Sequence, residues 1–117
     1  MSKQEMSLRA LRKSLGNEYS IRIIDLERVL YRDFGNGFNV EISGVNTTKK
    51  DKPATIYLWY GEKQPECMIV RTIQGVVRGD IDSVVDDLRE YTNELIRRGY
   101  VDWDSLFRLK HPEPIKE

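Results

Sequence analysis

The chain has 117 residues, enough for one domain and too few for two of ordinary size. Nineteen Lys and Arg offset nineteen Asp and Glu, a balance that excludes a strongly basic DNA-wrapping protein and an acidic disordered tail. One Cys and one His exclude a disulfide framework and a zinc site built from both residue types, and no apolar stretch is long enough for a membrane span or a signal-peptide core. A cytoplasmic protein with no cofactor and no membrane contact is the expectation.

The first element is a short helix ending at Gly16-Asn17. Leu8, Leu11 and Leu15 recur at helical spacing, with Ser7 as the expected N-cap. From Tyr19 the period changes, and residues 19–24 read as an extended lead-in. Residues 28–34 and 38–45 form the expected hairpin, because Asn36-Gly37 favours positive φ between two aromatic-flanked segments. Phe38, Val40 and Ile42 alternate with Asn39, Glu41 and Ser43, the pattern of a half-buried strand. A polar loop over 46–53 leads to a strand at 54–60, rich in β-branched and aromatic residues. A turn from Gly61 to Pro65 then returns the chain to a strand at 67–74.

Residues 81–98 carry the strongest periodicity. Ile81, Val84, Val85, Leu88, Tyr91, Leu95 and Ile96 trace one helical stripe, with Asp80 or Asp82 at its start and Gly99 at its stop. A short helix over about 103–109 follows, capped by Asp102. The expected fold is therefore α+β: a short N-terminal helix, an antiparallel sheet of three or four strands, a long amphipathic helix and a short C-terminal one. Residues 1–110 make the expected single domain, and 111–117 a polar tail.

The long helix should pack on the face holding Phe38, Val40, Ile42, Ile56 and Leu58. Thr55, Tyr57 and Trp59 then point the other way, and Met68, Val70 and Thr72 are expected to join them. That is more aromatic and apolar surface than a wet sheet face needs. Its expected cover is the first helix, the Trp103/Leu106/Phe107 segment, a second copy of the chain, a protein partner or stacked bases. The α-β-β-β-α order resembles double-stranded-RNA-binding domains in shape alone. Where those domains begin their last helix with basic residues, this chain has Asp80, Asp82, Asp86 and Asp87, and the function is not carried across.

Chemistry-bearing patterns are sparse. Asp82, Asp86 and Glu90 lie four residues apart on one helix face, as carboxylates for a divalent cation would, but an acidic first turn already suits the helix dipole. Gly35-Asn36-Gly37 lacks the third glycine of a dinucleotide fingerprint and leads into a strand. Cys67 sits in an apolar segment, and His111 in a Pro-bounded tail, so a Cys–His pair is not expected. Lys49, Lys50 and Lys52 form a small basic loop that, beside Tyr57 and Trp59, would suit weak binding of single-stranded nucleic acid. Charge is polarised, with a basic N-terminal segment and an acidic stretch over 80–104; the two poles either steer a partner or a second copy, or meet within the fold and bring the first helix close to the last.

No nucleophile, base and oxyanion site assemble from these residues. The expected function is a small non-enzymatic interaction or regulatory module that binds a protein partner or itself through Tyr57, Trp59, Met68 and Val70. The alternatives are weak single-stranded nucleic-acid binding with Lys49, Lys50 and Lys52, and a carboxylate or metal-dependent enzyme on the acidic helix.

Overall fold

A computed structural model describes residues 1–61 and 66–111. Helix α1 (Lys3–Leu15) leads into strands β1 (Ser20–Ile24), β2 (Glu27–Asp33), β3 (Phe38–Ser43), β4 (Ala54–Tyr60) and β5 (Met68–Val76). A 3-10 turn (Arg78–Asp80) then feeds α2 (Ile81–Arg97), and α3 (Trp103–Lys110) follows. The five strands form one antiparallel sheet in the order β1-β2-β3-β4-β5, each paired with its sequence neighbours.

The α+β class, the long helix and its amphipathic stripe agree with the sequence expectation. Ile81, Val85, Leu88 and Leu95 are buried on α2, with Val84, Tyr91 and Ile96 packed at the margins. They meet Phe38, Val40, Ile42, Ile56 and Leu58 of the sheet in a single core cluster. Gly99, at φ 89°, ends the helix: its N–H donates to the Ile96 carbonyl, and the Tyr100 N–H donates to that of Leu95. Asp102 caps α3 through a reciprocal pair of hydrogen bonds with Ser105.

The sheet has one strand more than expected. Residues 20–24 are not a lead-in but β1, joined to β2 through Asp25-Leu26. Both turn residues have positive φ, 51° and 65°, which matches the twist of a two-residue hairpin. Leucine is a poor residue for that conformation, which hides the turn from a search for Asn-Gly or Asp-Gly. The N-cap of α1 is Ser2 rather than Ser7, its hydroxyl accepting from the Glu5 N–H at 3.1 Å. Asp80 makes no side-chain cap, since the 3-10 turn supplies the start of α2. The turn expected from Gly61 to Pro65 falls largely on residues 62–65, and the polar tail on 112–117, outside the described residues.

Leu26 is fully exposed, so its side chain returns no packing energy for the left-handed backbone it occupies. Leu26→Gly should stabilise the fold by about 1 kcal/mol, the strain relieved less the extra freedom of the unfolded chain. Urea denaturation checks this, and an unchanged or lower midpoint would contradict it.

All three helices lie on one face of the sheet. Leu8 of α1 and Leu106 of α3 belong to the same buried cluster as the α2 stripe and the inward residues of β2, β3 and β4. The α1 and α3 segments therefore do not cover the Tyr57/Trp59 face.

Candidate binding face

The opposite face is set by strand register. Tyr31 pairs with Glu41, Glu41 with Tyr57, and Asn39 with Trp59, so these side chains share one side of the sheet. Trp59 also pairs with Ile69, and Tyr57 with Thr72. The register slips between Leu58↔Arg71 and Trp59↔Ile69, leaving Val70 as the extra residue of a bulge. Met68 pairs with Tyr60 and, like Val70, packs against the helix-side core. Thr72 stands beside Tyr57 as expected, whereas the expectation for Met68 and Val70 is corrected: the bulge shifts the alternation, and Ile69 stands beside Trp59 instead.

This face is concave. Val29 and Tyr31 are buried although they lie outside the helix-side cluster and no helix covers them. The sheet curls enough that Ile24 and Asp25 of the first hairpin line the same cavity as Ile69 of β5, at the other end of the strand order. Two neighbouring hollows result, of about 370 and 440 Å³, sharing Ile24, Asp25, Glu41 and Trp59. Tyr31, Asn39 and Arg22 complete the first, where the Arg22 guanidinium stands 3.6 Å from the centre of the Tyr31 ring. Glu27, Ser43 and Tyr57 complete the second.

Glu41 lies at the junction of the two hollows. Its residue exposure is only 8%, and its Oε1 accepts a hydrogen bond from Trp59 Nε1–H at 3.2 Å. Burial raises its carboxyl above the usual range; the Trp59 hydrogen bond opposes this, and the charges of Asp25 and Glu27 add to it. Asn39 is also buried, its amide donating to the Gly61 carbonyl at 2.9 Å. Sequence reasoning passed over Glu41, Tyr31 and Asn39. Glu41 has the signature of a water-facing residue in an alternating strand, yet the walls of the two hollows and the Trp59 indole cover it.

The other sequence candidates are dispersed. Lys49, Lys50 and Lys52 line neither hollow of the open face; Lys50 borders a separate cavity against Ala10 and Leu11 of α1. The loop lysines are therefore not part of the walls that Tyr57 and Trp59 form. Arg78 holds this loop, donating to the carbonyls of Val45 and Thr47.

Asp82 accepts from the buried Tyr19 hydroxyl at 2.9 Å, and Asp86 lies 3.9 Å from Arg32. Burial, partly offset by Arg32 and reinforced by Asp82, pushes the Tyr19 hydroxyl up to about 12. Among the described residues no group of three His, Cys, Asp or Glu side chains is placed to hold a metal ion. Cys67 is a half-buried free thiol at the edge of the first hollow, whereas His111 rests on Phe107 at 4.6 Å.

The two charged poles are not joined by ion pairs among the described residues, although α1 and α2 share the core cluster. Among the described residues, ion pairs join Glu5 to Arg28, Asp86 to Arg32 and Glu94 to Arg97, and none links α1 to α2. The described helices include none long and apolar enough to cross a membrane. Comparison with protein-family models, with curated proteins and with solved structures gives no significant match to this chain.

Proposed function

We propose that this chain is a non-enzymatic binding module whose concave sheet face docks a protein partner, with a second copy of the chain as the alternative occupant. The observation that carries the reading is the placement of all three helices on one sheet face, which leaves Tyr57, Trp59 and Ile69 on the other. Aromatic side chains held on a rigid sheet make effective anchors, because few rotamers are lost on binding. Leu26 supports the same reading: a fully exposed leucine in left-handed backbone stands at the tip of the hairpin that walls the hollow. Strain kept at an exposed position is a signature of contact surfaces rather than of packing.

Acrylamide quenching of Trp59 in a Trp103→Phe background, over a range of protein concentrations, tests the proposal. Strong quenching in dilute solution is expected, since Trp59 is only half-buried. Quenching that stays strong with concentration supports a heterologous partner, and quenching that weakens supports self-association. Weak quenching at every concentration would overturn the reading. Once a partner is in hand, Trp59→Ala should cost roughly 2 kcal/mol or more of binding.

A further inference from the structure

The larger hollow on the open face has the composition of a cation site. Its lining includes the carboxylates of Asp25, Glu27 and Glu41 together with the rings of Tyr57 and Trp59, and no basic side chain among the described residues lines it. At about 440 Å³ it is an open hollow with room for one side chain. We propose that this hollow seats the cationic side chain of a partner protein, an arginine in preference to a lysine. The inference rests on the docking face proposed above and specifies the chemistry of its occupant.

Three arguments lead there. The first concerns residue type. Glu41 is more than nine-tenths buried, yet the one hydrogen bond it receives, from Trp59, would form equally well with a glutamine carbonyl. A buried carboxylate is costly unless it is paired. Its Oε2 is not a buried orphan and is open to the hollow, and Oε1, which accepts from Trp59, keeps a second lone pair. Asp25 and Glu27 add negative charge at the rim instead of relieving it.

The second argument is the aromatic wall. Ring faces attract cations that have lost part of their hydration, and guanidinium stacks on them while its edge still donates hydrogen bonds. The neighbouring hollow already shows that arrangement, with Arg22 over the ring of Tyr31. The third is complementarity: three carboxylates line this hollow, while the nearby cations are already engaged, Arg22 over the Tyr31 ring in the neighbouring hollow and Lys110 on the Ile69 carbonyl.

The test uses the whole chain carrying Trp103→Phe, so that Trp59 is the only tryptophan. The probes are three N-acetylated, C-amidated tripeptides, Gly-Arg-Gly, Gly-Lys-Gly and the citrulline analogue of the first, titrated against Trp59 emission. Citrulline keeps the planar shape of arginine and its Nε–H and one NH2 group, but carries a carbonyl oxygen in place of the other nitrogen and no charge. The expected result is a saturable response to the arginine peptide in the roughly millimolar range, with lysine weaker and citrulline weaker by about tenfold or more.

Glu41→Gln should also lose about tenfold or more in arginine affinity while remaining folded. The exposed pair Asp25→Asn and Glu27→Gln should weaken binding without touching the sheet interior. Equal responses to arginine and citrulline, or no saturable response to arginine, would overturn the cation site. If Trp59 is freely quenched at the same time, the docking face itself survives that failure. A Trp59 shielded from quencher removes both.

Discussion

Leu88→Asp is expected to abolish the folded state. Leu88 is 2% exposed at the middle of the α2 stripe, facing the sheet. The substitution forfeits about 1.5–3 kcal/mol of apolar burial. It also leaves a cavity and places a carboxylate where no cationic partner stands, each costing several kcal/mol more. The sum is comparable to the whole stability of a domain of this size, about 5–15 kcal/mol. Far-ultraviolet circular dichroism without a cooperative melt is the expected readout. Arg89→Asp, on the exposed side of the same turn, is the control and should shift stability by no more than about 0.5 kcal/mol. A cooperative transition near the parent midpoint for Leu88→Asp would show that α2 does not pack as described.

The second large effect concerns Trp59 and Glu41 and depends on pH. Trp59→Phe keeps a ring on the open face but removes the Nε1–H that Glu41 accepts. Loss of a hydrogen bond to a charged acceptor should cost about 1.5–3 kcal/mol when the acid is ionised. The sign of the pH dependence follows from burial, the main cause that holds the Glu41 carboxyl above its usual range in the folded protein. Between the unfolded and folded pKa values the native state holds the proton more often than the unfolded chain does. The stability this proton provides is complete below the unfolded pKa and is lost as pH rises through the folded pKa.

Trp59→Phe raises the folded value further and so enlarges that loss. Glu41→Gln removes the ionisation altogether and should flatten this part of the profile. It should also leave the protein at least as stable at neutral pH, because the amide carbonyl still accepts from Trp59. Urea denaturation from mildly acidic to neutral pH measures all three profiles. A Trp59→Phe profile parallel to the parent's would show that the indole N–H does not bear on Glu41 in solution.

Much of this architecture was legible in the chain, and the exceptions have physical causes. Phe38, Val40 and Ile42 alternate cleanly, as do Ile56 and Leu58, because one side of each central strand meets helices. The α2 stripe was legible for the same reason. The Asp25-Leu26 turn was not, since its backbone runs against the preference of leucine. Nor was the bulge at Val70, which moves Met68 to the helix side and brings Ile69 beside Trp59. Alternation predicts a face only while register holds, and a single extra residue reverses it.

The candidate site was half visible. Tyr57 and Trp59 stood out by residue type, whereas Glu41 resembled any solvent-facing acid. The curvature that encloses it belongs to the sheet as a whole and has no local signature. The helix termini show the same division, with Asp102 and Gly99 readable from short-range chemistry and the 3-10 entry to α2 dependent on the path arriving from β5.

The strictly sequential strand order has a consequence for how the chain reaches this state. Each strand pairs with the one just made, so no strand waits for a partner across an intervening segment. Closure entropy is spent in small steps, one hairpin at a time, which favours rapid formation relative to sheets with crossovers. A growing meander presents an unpaired edge at every stage, and that edge is a target for other chains. The β5 strand ends the series with a bulge and an exposed Arg71 over Tyr91 of α2. Its irregular, charged margin is a poor template for further pairing, so the sheet stops growing at the fifth strand.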